Sequence, residues 1–153
     1  MDDKKTRSRS AEEAQTEESE TKPQTDPATP KIYGDGRPVA GEVVTVLHAR
    51  FNRRILNLAE AKSRALLQNE IHELMVVDER EGSAIAFFEV KKGGVAVVGD
   101  EVTVDDKPIG KIAGFDMNHM PNHMNIVIKT RTNRMPQTSL GDRVTIQRSG
   151  ERT

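Results

Sequence analysis

The segment Gly114 to Ile126 reads GFDMNHMPNHMNI and concentrates the side chains best suited to chemistry. Asn118-His119-Met120 recurs as Asn122-His123-Met124 around Pro121, so two of the four histidines and three of the six methionines fall in one short stretch. Proline favours a turn, and a chain reversal near Pro121 would bring His119 and His123 to one side, with Asp116 on the entering strand. Asp116, His119 and His123 are then a candidate catalytic set and a candidate metal set. Two imidazoles and a carboxylate would suit a divalent metal, zinc or iron, with a position left open for water. Without a metal, a histidine oriented by Asp116 can move protons near neutral pH. Asn118, Asn122 and Asn125 would hold a carboxylate or sugar hydroxyls of a small polar metabolite. Methionine thioethers beside imidazole also suit copper(I). The same residues would equally make a polar hairpin tip with solvent-facing histidines.

Two other clusters carry charge. His48, Arg50, Arg53 and Arg54 could clamp a phosphate or carboxylate of an anionic metabolite through forked guanidinium contacts. They could also be a solvated surface. Glu70, His72 and Glu73 stand at a strand entry, and one of them joins the site if that strand lies beside the Asp116 loop. Glu89, between Phe88 and Val90, faces outward if the strand alternates as expected.

The elements that must position these residues are mostly strands. Runs rich in β-branched residues are expected at Gly41–Leu47, Glu73–Val77, Ala84–Val90, Val95–Val98, Glu101–Val104, Ile109–Phe115, Asn125–Lys129 and Arg143–Gln147. One helix is expected at Leu58–Asn69, from Phe51, Ile55, Leu58, Ala61, Ala65 and Leu66 at three- and four-residue steps. Asn57 and Glu60 resemble its N-cap and capping partner. Gly99-Asp100-Glu101-Val102 and Gly141-Asp142-Arg143-Val144 both read Gly-Asp-x-Val ahead of a strand. Glycine relieves the backbone there and aspartate bonds its own turn. Short strands at regular spacing predict a mainly β fold, a small closed or partly open β-barrel with one α-helix.

Residues 1–37 are expected to be a disordered tail, residues 38–149 one β-rich domain and residues 150–153 a C-terminal tail. Residues 1–31 hold no Ile, Leu, Val, Phe, Tyr or Trp and carry eight acidic against six basic side chains. The net charge of −1 gives no basic excess for nucleic acid, and one tyrosine, four phenylalanines and no tryptophan offer no stacking platform. No cysteine is present, which removes disulfides, thiolate nucleophiles and sulfur-held zinc. No apolar run of membrane-spanning length occurs, so a cytoplasmic, membrane-free location is expected. No phosphate-binding glycine loop or serine nucleophile elbow occurs either. A barrel with an open edge would favour a homodimer.

The stretch from Glu73 to Ile146 resembles an uncharacterised bacterial small β-barrel domain family, through AFFEV (Ala86 to Val90), VGDEV (Val98 to Val102) and GFDMNHMPNHMNIVI (Gly114 to Ile128). It is similar, more remotely, to the glucitol/sorbitol-specific enzyme IIA component of the bacterial phosphotransferase system. That likeness runs through Gly99-Asp100, Ile109-Gly110 and Asn118 or Asn122 with His123. It implies a small β-rich fold and a phosphocarrier or sugar-responsive role. The stretch matching the phosphorylated strand, Met75 to Glu79, has no histidine. Three functions follow: a small enzyme or ligand-binding domain acting on a polar metabolite, an enzyme IIA-like carrier, and a non-catalytic interaction module using the tail or the Arg50 to Arg54 patch.

Overall fold

The computed structural model describes residues 32–130 and 135–149; the expected N-terminal tail through residue 31 and residues 150–153 lie outside these. From Asp35 onward the chain forms one compact unit. Its strands are β1 (Val39–Asn52), β2 (Ser63–Leu66), β3 (Ile71–Val77), β4 (Glu81–Lys92), β5 (Gly94–Val97), β6 (Glu101–Val104), β7 (Lys107–Asp116), β8 (Asn125–Thr130) and β9 (Arg143–Gln147). Seven of them close a barrel in the order β1-β4-β3-β8-β7-β6-β9, while β2 and β5 pair as a separate two-stranded ribbon. Neighbours in the barrel are antiparallel except β3 and β8, which run parallel. The expected strands fall within or beside the observed ones because branched and aromatic side chains pack well on a pleated, half-buried surface. Closure leaves none of the seven strands as an open edge, so the edge argument for a homodimer does not apply to them.

Alternate residues of these strands fill the interior. Leu74, Phe88, Ile112, Phe115, Ile126, Ile128 and Ile146 are buried in one apolar cluster. Each contributes roughly 1.5–3 kcal/mol relative to exposure. The two Gly-Asp-x-Val turns adopt one geometry. Gly99 and Gly141 have φ of 98° and 85°, in the left-handed region that glycine enters without strain. Asp100 Oδ2 accepts the Val97 N–H at 2.9 Å, and Asp142 Oδ2 accepts the Ser139 N–H at 2.8 Å. These turns feed β6 and β9, which pair with each other.

The expected helix at Leu58–Asn69 is not formed. Among the described residues the chain has no α-helix, only a 3-10 turn at Arg53–Ile55 whose N-cap is Asn52 rather than Asn57. Burial explains the correction. A helix in a protein is held mainly by burying one face, and here Ile55, Leu58 and Leu67 are 59%, 44% and 59% exposed, while Leu66 turns into the core. The alanines that completed the spacing carry little apolar area. The backbone finds its partners across the sheet instead. Residues 63–66 pair with β5, and the stretch before them runs as a strap that bridges to the end of β7 at Leu58 and Asp116. Arg53 N donates to Arg80 O at one end; at the other, Ala59 N donates to Phe115 O and Met117 N to Asn57 O. No helix among the described residues is long and apolar enough to cross a membrane.

Candidate acid–base site on the outer wall

Side chains that do not face the core form a polar row across the wall. Directly opposed residues of neighbouring strands share a face, and the registers align Phe87 with Glu73, Glu73 with Asn125 and Asn125 with Asp116. Their chain neighbours Phe88, Leu74, Ile126 and Phe115 all lie in the core, which sets the row on the outside. Asp116 does not orient a histidine. It is 1% exposed, its Oδ1 accepts the Asn57 N–H at 2.6 Å and its Oδ2 accepts Asn125 Nδ2 at 2.7 Å, so it moors the strap. Asn125 is fully buried and its Oδ1 has no hydrogen-bond partner.

The loop after β7 explains the doubled Asn-His-Met. Met124 lies in the core with Met117 and Met120 packed against it, so the methionines turn inward and anchor the loop. Thioethers held this way serve as packing groups. The turn closes when Asn122 N and His123 N both donate to His119 O, and the Met120–Pro121 peptide within it is cis. Asn118 Nδ2 donates to Ile55 O on the strap at 2.8 Å. The histidines are left outward and side by side, their rings stacked with centroids 5.1 Å apart and planes 13° from parallel.

His123 is the anchored ring. Its Nε2 lies 2.9 Å from Glu73 Oε1 and its Nδ1 lies 2.7 Å from Asn122 Oδ1. The Phe87 and His123 rings pack T-shaped, with centroids 5.0 Å apart and planes at 83°. Both ring nitrogens therefore have side-chain partners that fix the plane of the ring. The His123 and Glu73 side chains are 14% and 8% exposed, so their pair is largely out of water. His119 above them is exposed.

His72 is a satisfied interior histidine. Opposite Phe88 on the core face, it donates from Nε2 to Glu70 Oε1 at 2.9 Å and accepts the Met124 N–H on Nδ1 at 3.4 Å. Partial burial would raise the Glu70 carboxyl. The Leu67 N–H, the bond from His72 and the charges of His72 and Arg64 outweigh it and hold Glu70 below its ordinary value of 4.5. The Glu81 and Arg80 N–H groups, helped by Arg53 and Arg50, lower Asp78 below 3.8. A depressed carboxyl stabilises the fold above its unfolded value and loses that contribution as pH falls through its folded value. The urea midpoint should therefore be flat with respect to these two groups above pH 4.5 and should drop on acidification below it. Glu70→Gln should remove part of that slope.

The remaining expected site residues lie apart. Arg50 pairs with Glu81 at 3.1 Å, Arg53 Nη1 donates to Asp78 O at 2.6 Å, and Arg54 N donates to Asn52 Oδ1. Asp78 follows the far end of β3, about 16 Å from Glu73 at a strand's rise of roughly 3.3 Å per residue. Asp116, His119 and His123 do not assemble as ligands, and among the described residues no three His, Asp or Glu side chains are placed to hold a metal ion. The residue that completes the cluster is Glu73. It belongs to the strand-entry set Glu70, His72 and Glu73, one of which joins the site once that strand lies beside the loop. Phe87 carries no such signal in the sequence.

A protein-family model described as a family of unknown function (DUF6917) matches residues 33–147. No curated protein and no solved structure matches the chain.

Proposed function

We propose that this chain, which belongs to the family of unknown function DUF6917, is a small enzyme or ligand-binding domain whose outer-wall site takes a small polar metabolite and exchanges a proton with it. The observation that carries this reading is the shielded Glu73–His123 pair with an exposed imidazole stacked on it. Glu73 and Asn122 fix the orientation of His123. His119 presents its ring edge to solvent and would be the acid or base that meets the metabolite, a role that typically contributes 10²–10⁴ in rate. Asp116, Asn118 and Asn125 position the loop and strap around the site. A cytoplasmic location accords with the absence of cysteine.

Because His119 is exposed, His119→Ala should fold with a melting temperature close to that of the parent. Binding of the metabolite, read by thermal shift across a panel of polar metabolites, should fall at least about tenfold. Equal stabilisation of parent and variant by the same compounds would refute the role of His119. An enzyme IIA-like carrier is a second reading, favoured by the small barrel and by the exposed imidazole of His119. It requires acid-labile label on the chain after incubation with phosphoenolpyruvate and the general phosphotransfer proteins, and the absence of label would rule it out.

A further inference from the structure

We infer that the barrel has a second binding site at its mouth, built for a small molecule with one carboxylate or phosphate head on a short apolar body. A cleft of about 370 Å³ opens there, lined by Val46, His48, Arg50, Ser83, Ile85 and the segment Met135–Thr138. The registers show that it continues the barrel interior. Arg50 opposes Ser83, Ser83 opposes Val76, Val76 opposes Ile128 and Ile128 opposes Ile112. The last three residues belong to the core, so Arg50 and Ser83 stand on the inner face where the apolar filling ends.

The cleft therefore grades from apolar to cationic. Ile85 is a core residue and Val46 packs against the core, giving a greasy floor. His48 and Arg50 stand on the rim, and the Ser83 hydroxyl lies on the same inner face below Arg50. Thr138 Oγ1 donates to Ile85 O at 3.0 Å and ties the covering segment to β4. The present partner of Arg50 is Glu81, but their side chains are 79% and 58% exposed. An ion pair that open to water is weak, so a ligand anion can compete for the guanidinium and gain its forked hydrogen bonds. Barrel mouths are a common place for small ligands, and this volume lies within the range such sites occupy. The outer-wall histidines take no part.

Amide NMR of the full chain, titrated separately with sodium hexanoate, hexyl phosphate and hexylamine, tests the site. At least one of the two anions should give saturable shifts at Val46 to Arg50 and Ser83 to Ile85, and the amine should give none. The anion that saturates at lower concentration identifies the head group. Arg50→Gln, at a side chain too exposed to matter for folding, should weaken that binding at least tenfold, whereas His119→Ala should leave it unchanged. No saturable shift from either anion, equal binding of hexylamine, or undiminished binding by Arg50→Gln would overturn the proposal.

Discussion

Asp116→Ala should destabilise the domain by about 3–5 kcal/mol, an effect carried by two hydrogen bonds to a buried carboxylate, each worth roughly 1.5–3 kcal/mol. Both oxygens of Asp116 are committed, one to the Asn57 N–H and one to the Asn125 amide. Alanine would strand both donors away from water, and Asn125, whose Oδ1 is already without a partner, would lose its bond to Asp116. The consequence extends past β7, because the Asn57 bond helps hold the strap against it. Asp116→Asn keeps one acceptor and should cost roughly half as much. Urea unfolding of the two variants checks the order. A loss below about 1 kcal/mol for alanine would mean that the strap is held by its backbone bonds alone.

Glu73→Ala should cost about 1–3 kcal/mol and should also silence the site. The substitution leaves His123 Nε2 without its partner in a site largely out of water, and an unsatisfied buried polar group typically costs about 1–3 kcal/mol. The residual exposure of Glu73 and His123 puts this pair at the low end. His123→Ala should show a similar loss for the mirror reason, since the Glu73 carboxylate is then buried alone. The double variant should be less damaged than the sum of the singles, with a coupling of at least about 1 kcal/mol. Additive losses would show that the two side chains do not work as a pair. Metabolite binding should vanish in both single variants, because His123 is either gone or without the Glu73 bond that orients it.

Much of this architecture is legible in the chain. Strands such as Glu101–Val104 and Arg143–Gln147 announce themselves through β-branched alternation, and Gly99-Asp100 and Gly141-Asp142 announce their turns by residue type. The Asn118 to Asn125 loop is legible as a place where chemistry-bearing residues gather. What a one-dimensional reading left conditional lies in long-range contact. His123 and Glu73 are 50 residues apart and meet because β3 and β8 pair in parallel, an arrangement no local pattern encodes. Asp116 looked like the partner of the histidines because it is near them in sequence, whereas β-sheet register gives it to Asn57 and Asn125. The strap imitated a helix because Ala61 and Ala65 supply helical spacing without the bulk that would have to be buried. The Arg50 to Arg54 cluster looked like one clamp, but Arg50 bonds to the Glu81 carboxylate and Arg53 to the Asp78 backbone carbonyl, and of the three arginines only Arg50 lines the barrel mouth.

The most direct test of the outer-wall site is nitrogen-15 NMR of the full chain labelled at histidine, recorded while a panel of small polar metabolites is added. The imidazole nitrogens of His119 and His123 should shift saturably with at least one compound, while those of His72, enclosed by Glu70 and Met124, stay fixed as an internal control. Rings of His119 and His123 that remain unmoved by every compound, in a chain whose fold is intact, would contradict the proposed function and leave the Glu73–His123 pair as a structural clasp between β3 and the loop.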